Sequence, residues 1–161
     1  MSQTQKHCYL FALEIVPLTA GESYRTLPMH CTLMHRFWAT QSPAELAAKV
    51  ALIFKKYVDG ITFIPGKIME LGPNNTVVFK LEQTETLRRL HMELYNLLNN
   101  LGVEYTEVDW VGSGYTPHAS DREDSLLKQG MLFTTKRVNL IEVKVPGHDH
   151  MRFVREKLSL G

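Results

Sequence analysis

Two segments of this chain carry apolar residues at helical spacing, and neither is set in a regular alternation of strand and helix. Leu46, Val50, Ile53, Phe54 and Tyr57 fall along one face of the first, and Leu87, Leu90, Leu94, Leu97, Leu98 and Leu101 along one face of the second. Ser42-Pro43-Ala44-Glu45 opens the first helix with an N-cap serine, a proline at the first helical position and a glutamate that closes a capping box. Gly60 stops it; the second helix starts near Thr84 and stops at Gly102. Extended runs surround them, at 8–16 (closed by Pro17), 27–37, 61–64, 68–71, 76–82, 103–111 and twice within 131–145, with a short terminal helix expected over 149–158. A doubly wound fold needs strand and helix to alternate, so this order favours an α+β architecture with antiparallel sheets. The 161 residues suit a single domain, 1–161, made of two lobes that share an interface.

Two short strings then narrow the chemistry: His30-Cys31-Thr32-Leu33 and Pro117-His118-Ala119-Ser120. On a strand, residues i and i+2 point to the same face, about 7 Å apart. Each string therefore presents an imidazole and a hydroxyl side by side, with Cys31 and Ala119 turned to the opposite face. A faint repeat links the halves, since Phe11-Ala12-Leu13-Glu14 precedes the first string and Phe79-Lys80-Leu81-Glu82 the second. The expected fold is thus bilobal, with pseudo-twofold duplicated lobes, and both strings facing a shared cleft. Displacement at a phosphodiester needs one group to take a proton from the nucleophile and another to give one to the departing oxygen. Two imidazoles with ordinary pKa near 6.5 do both near neutral pH without a metal. The hydroxyls of Thr32 and Ser120 would donate to the non-bridging phosphate oxygens.

The balance of charge agrees with a small substrate. A formal net charge of +1 provides no field for holding long duplexes. The apolar N-terminal run is interrupted by Glu14, and no stretch is long enough to span a bilayer, so a cytoplasmic protein without membrane association is expected. Two cysteines, Cys8 and Cys31, make no disulfide framework and read as buried thiols. The expectation is a monomer without cofactor, metal or obligate protein partner.

Through His30-Cys31-Thr32-Leu33 and His118-Ala119-Ser120, their separation and the order of elements, the chain resembles the 2H phosphoesterase superfamily, which includes LigT-like 2′-5′ RNA ligases and cyclic nucleotide phosphodiesterases. The resemblance implies antiparallel lobes with helices packed outside and a central cleft holding both motifs. It also implies metal-independent hydrolysis of a cyclic phosphate, often that of a 2′,3′-cyclic nucleotide or RNA end. Matching the motif carries over His30, Thr32, His118 and Ser120 as catalytic residues. After Ser120 the chain departs from the pattern, with Asp121 and Arg122 in place of an apolar continuation. Ligation is the reverse of cyclic-phosphate opening, so both labels fit one site. Other readings are hydrolysis of a cyclic oligonucleotide signal or of an ADP-ribose cyclic phosphate, and a module that binds RNA ends without turnover.

Further residues are weighed individually. Tyr115 is placed to stack on a base, and Arg36, two steps of alternation beyond Thr32, to reach a phosphate. His35 should face away from the motif. Trp38 and Trp110 would line the cleft mouth or pack between lobes, and His91 would be a half-buried helix residue. Gly112-Ser113-Gly114 reads as a flexible entry to the second motif. His148-Asp149-His150 has metal-chelating spacing but reads better as an exposed cap, and Arg152, Arg155 and Lys157 as a solvated face of the terminal helix.

Overall fold

The structure is a computed structural model, and it describes residues 5–120, 126–144 and 150–161. The strands are β1 (His7–Glu14), β2 (Ser23–Tyr24), β3 (His30–Ala39), β4 (Ile61–Phe63), β5 (Pro65–Leu71), β6 (Thr76–Leu81), β7 (Glu104–Tyr105), β8 (His118–Ser120), β9 (Phe133–Thr135), β10 (Arg137–Lys144) and β11 (Met151–Ser159). The helices are α1 (Pro43–Phe54) and α2 (Glu85–Asn100), with single 3-10 turns at Val108–Trp110 and Gly112–Gly114. Among the described residues every pairing is antiparallel, as an α+β fold requires. One open sheet runs in the order β2-β11-β10-β1-β3-β8-β6-β5, with β7 beside β3, and β4 pairs with β9 separately.

The helices start where the sequence places their caps. Ser42 Oγ accepts from the Glu45 amide at 3.2 Å, and Thr84 Oγ1 from the Leu87 amide at 3.2 Å. Leu46, Val50 and Phe54 of α1 and Leu87, Leu90, Leu94 and Leu98 of α2 enter one core, against Phe11 and Leu13 of β1 and Leu33, Met34 and Phe37 of β3. Both helices therefore cover the same face of the sheet. The other face carries a smaller cluster in which Leu18 and Leu27 close over Leu10, Ala12, Ile141 and Val154. No helix among the described residues is long and apolar enough to cross a membrane.

The order of strands is pseudo-symmetric about the β3–β8 joint: β1 flanks β3 on one side and β6 flanks β8 on the other. The four-letter repeat lies on those two flanking strands but two residues out of structural register. Leu13 pairs with Cys31 while Phe79 pairs with Ala119, so Leu13, not Phe11, is the counterpart of Phe79. A shift of two keeps each side chain on its own face, which is why the letters still resemble one another.

Three local expectations are corrected. Residues 151–159 form a strand, not a helix: β11 pairs with β10 from Met151↔Lys144 to Ser159↔Arg137 and gives that strand an antiparallel neighbour. An irregularity at Arg155 breaks its period-two pattern, which hides the strand in the sequence. The rest of that expected helix, 149, lies outside the described residues. The 103–111 run is extended only at β7 before turning in a 3-10 bend. Gly112-Ser113-Gly114 is a packed turn, since a Cβ on Gly114 would stand 2.1 Å from the Asp109 carbonyl oxygen and Gly112 has φ +65° against the Tyr95 ring.

The feature that places the site is a double irregularity in β3. Its register against β1 runs Ala12↔Thr32, Phe11↔Met34, Tyr9↔Phe37. Leu33 is thus an extra residue, and Leu10 is spanned by both His35 and Arg36. Bulging costs ladder hydrogen bonds, and two buried side chains replace them: the Tyr115 hydroxyl donates to the Thr32 carbonyl at 2.9 Å, and His91 Nδ1 donates to the Leu33 carbonyl at 2.7 Å. His91 is fully buried rather than half-buried, because its Nε2 also accepts from the Gly112 amide at 2.9 Å. Both partners can be met only by the neutral ring protonated at Nδ1.

Burial pushes the His91 pKa down to about 4, the bond to the Leu33 carbonyl pulling the other way. Its folded value lies below the unfolded value of about 6.5, so its contribution is complete above pH 6.5 and is lost as pH falls from about 6.5 to about 4. Over that window this histidine should remove about 3 kcal/mol of stability. In urea titrations, His91→Phe is expected to be less stable at pH 7 by about 2–4 kcal/mol and to show a shallower fall between pH 6.5 and 4. An unchanged slope in that variant would show that another group titrates.

Candidate active site

β3 and β8 meet at the antiparallel pair Cys31↔Ala119. That register sets His30 opposite Ser120 and Thr32 opposite His118 on one face, with the two imidazoles on a diagonal about 7–8 Å long. Cys31 and Ala119 project into the core, 0% and 1% exposed. Burial also pushes the Cys31 thiol up to about 12, so it packs and does not react. The quartet of His30, Thr32, His118 and Ser120 is half-buried on the face away from the helices.

The two histidines are held alike. His30 Nδ1 donates to the Pro28 carbonyl at 2.9 Å, and His118 Nδ1 donates to the Thr116 carbonyl at 2.9 Å. Each ring is anchored to the carbonyl two residues before it. A carbonyl only accepts, so Nδ1 carries the hydrogen and in the neutral ring Nε2 keeps the lone pair. Two imidazoles of one tautomer, built by the same local geometry, result.

The bulge in β3 adds a third imidazole. Strict alternation would turn His35 away from Thr32; the structure brings both His35 and Arg36 to the site face. The His35 ring lies 6.0 Å from that of His118 and 5.7 Å from that of Trp110. Burial first, then the nearby His118, His91, His30 and Arg36, lower its pKa to about 3. It is therefore neutral throughout the range in which ordinary histidines titrate. Its Nε2 is buried with no hydrogen-bond partner among the described residues, while Nδ1 is 3.6 Å from the Glu107 carboxylate.

Two cavities flank the quartet and share His35 and Glu107 as their common wall. The larger, about 430 Å³, holds His30 and Thr32 with Arg25, Arg36, His150 and Arg152. The smaller, about 240 Å³, holds His118 and Ser120 with Trp110, Leu71, Pro73 and Val78. The Trp110 ring stands edge-on to His118 at 5.7 Å. Arg36 lines the larger cavity and pairs with Glu107 at 3.4 Å.

Tyr115 does not line the cleft, which corrects the stacking role expected of it. It is 3% exposed, and its ring lies flat on His91 at 3.9 Å and 3°. Trp110 is the aromatic that the cleft presents, carried there by the 3-10 turn after β7, while Trp38 is 41% exposed on β3. Glu107 and Arg25 are cleft residues that sequence reasoning does not single out, and His150, read there as part of an exposed cap, also lines the larger cavity. Only proximity to the bulge marks Glu107, and that bulge has no signature in the letters. His148, Asp149, Asp121 and Arg122 lie outside the described residues. Among those described, no group of three or more His, Cys, Asp or Glu comes together to hold a metal ion. Arg155 binds Glu142 at 2.8 Å and Lys157 approaches Glu14 at 3.2 Å, on a strand rather than a helix face.

No protein-family model matches the chain, and no curated protein matches it in sequence. Its fold is nevertheless shared with solved structures over almost its whole length. Escherichia coli LigT complexed with 3′-AMP superposes with a TM-score of 0.61 at 13% identity, covering 97% of this chain and 99% of that one. A protein described as a phosphoesterase gives 0.60 at 13% identity, covering 96% and 98%. The Thermus thermophilus protein TT0787 gives 0.54 at 16% identity, covering 95% and 97%. At such identities the likeness is one of fold.

Tyr115→Phe removes one hydrogen bond to a strand carbonyl and leaves the cleft walls in place. It is expected to lower stability by about 1 kcal/mol while changing the affinity of a cleft ligand less than about twofold. A loss of affinity larger than the loss of stability would return Tyr115 to the substrate.

Proposed function

We propose that this protein is a 2H phosphoesterase that opens a 2′,3′-cyclic phosphate of a nucleotide or RNA end by two-histidine acid–base catalysis. The observation that supports it most directly is the matched anchoring of His30 and His118 through Nδ1, beside Thr32 and Ser120 on one sheet face. The fold shared with LigT, one structure of which holds 3′-AMP, supports the same reading.

In the proposed reaction the phosphate sits over the β3–β8 joint. Water attacks phosphorus while one imidazole takes its proton at Nε2. The other, protonated at the start, gives its Nε2 proton to the departing ribose oxygen, and a nucleoside monophosphate results. The P–O bond to the ribose breaks as the P–O bond to water forms. Thr32 and Ser120 donate to the non-bridging oxygens, whose charge builds in the transition state. No step requires a metal. Either imidazole fits either role, and ligation would reverse them. The base of the substrate is assigned to the Trp110 cavity, where the indole and the apolar residues Leu71, Pro73 and Val78 among its lining suit a stacked base.

Incubation with 2′,3′-cyclic AMP in EDTA, followed by chromatography of the product, tests the reading. His30→Ala and His118→Ala should each lose about 10²–10⁴-fold in kcat while retaining 3′-AMP binding. Because His35 stays neutral, the pH profile should be a bell set by two groups, one protonated and one not. Turnover that depends on an added divalent ion, or a full rate in either histidine variant, would sink the proposal.

Trp110→Ala should raise KM about tenfold with little change in kcat, since one stacked base contributes about 1–3 kcal/mol. Equal KM in the variant would move the base out of that cavity.

A further inference from the structure

The two motif histidines stand beside unlike neighbours. Antiparallel register arranges side chains in rows across the cleft face of the sheet. The pairing of β1, β3, β8 and β6 aligns Glu14, His30, Ser120 and Val78 in one row, and Ala12, Thr32, His118 and Lys80 in the next. The pseudo-symmetry that carries Leu13 onto Phe79 therefore carries Glu14 onto Lys80. Each is the outer neighbour of one motif histidine, and their charges are opposite.

The fold treats these two charges differently. Glu14 is buried; it accepts from Asn139 Nδ2 at 2.8 Å and pairs with Lys157 at 3.2 Å. Both partners belong to β10 and β11, on the side of β1 away from the joint. A carboxylate beside a phosphate site would repel the phosphate, and this one is offset by a cation of the protein itself. Lys80 is exposed and makes no ion pair among the described residues. On its outer side, Gly66 and Lys67 together span it at an irregularity between Pro65↔Leu81 and Ile68↔Phe79, so β5 sets no carboxylate across from it. Glu82, two residues along the chain, does not pair with it either.

Distance permits this cation to reach the site. Strands of one sheet lie about 4.8 Å apart, so a phosphate over the β3–β8 joint is about 7 Å from β6. A four-carbon stem ending in an ammonium spans that gap, and Ser120 lies on the diagonal from Lys80, within range of a long side chain. We propose that Lys80 is a further catalytic residue, whose ammonium donates to a non-bridging phosphate oxygen on the Ser120 side. This rests on the reading above that the substrate phosphate lies over the His30–His118 quartet. Thr32 and Ser120 are neutral donors. Lys80 adds a full positive charge, and its attraction grows as negative charge builds on the non-bridging oxygens in the transition state.

Calorimetric titration of the intact protein with 3′-AMP tests the contact without relying on turnover. Lys80→Met keeps the apolar stem and removes the charge at an exposed position. It should weaken 3′-AMP binding about tenfold or more, by an amount that shrinks as salt is raised. Lys80→Arg should recover most of that loss. Lys67→Met removes a neighbouring charge outside the site and should change 3′-AMP binding less than about twofold. With 2′,3′-cyclic AMP as substrate, Lys80→Met should also lower kcat about tenfold or more. Unchanged 3′-AMP affinity in Lys80→Met, an equal loss in Lys67→Met, or no binding of 3′-AMP by the unaltered protein would overturn the inference. Full turnover in Lys80→Met would remove Lys80 from the reaction and leave the two-histidine reading standing. Affinity lost in Lys80→Met, with no cleavage of the cyclic phosphate by the unaltered protein, would keep Lys80 as a phosphate ligand and remove the two-histidine reading instead.

Discussion

The relative placement of the two motifs depends on a narrow joint. Among the described residues β3 and β8 pair at Cys31 and Ala119 alone, little main-chain bonding to fix the angle between two half-sheets. The remaining constraint comes from the core. The Tyr115 hydroxyl holds the Thr32 carbonyl, and His91 spans from the Leu33 carbonyl to the Gly112 amide. These bonds tie the segment that leads into the second motif to the strand carrying the first. Those to the Thr32 and Leu33 carbonyls satisfy acceptors at the bulge, so the polar groups that would be costly to bury alone are the ones that align the site. The parallel stacking of His91 and Tyr115 makes the pair one rigid unit.

The same bulge gives the site its asymmetry. Without it, His35 would enter the core and the two cavities would share no imidazole wall. With it, a neutral ring separates a cationic cavity from an aromatic one. In the proposed reaction, pseudo-symmetry of the motif strands would serve acid–base chemistry, which wants two similar groups on opposite sides of one phosphorus, and asymmetry of the surroundings would serve recognition, since a nucleotide has unlike ends.

Much of this is legible in the letters. The caps at Ser42 and Thr84, the apolar stripes of both helices and the alternation His-x-hydroxyl are local rules, and local rules act through neighbours in sequence. What eludes them is equally specific. Residues 151–159 look helical because an irregularity at Arg155 disrupts their alternation, and only pairing with β10 makes them a strand. Tyr115 looks like a surface aromatic after a glycine-rich turn. That turn is tightly packed, and a tyrosine entering the core finds the Thr32 carbonyl waiting for a donor. Trp110 lines the cleft instead, because the chain bends in a 3-10 turn after β7.

The sequence by itself determined which side chains stand together along one strand: His30 with Thr32, His118 with Ser120, Cys31 and Ala119 behind them. A period of two follows from backbone stereochemistry and needs no partner. Tertiary structure alone decided which strands adjoin, where β3 gains its extra residues, and therefore which of His35, Arg36, Trp110 and Tyr115 reach the cleft. Those outcomes are set by hydrogen-bond satisfaction and packing between segments distant in the chain, such as His91 with Leu33 and Arg25 with Arg152. No local pattern of residues encodes contacts of that kind.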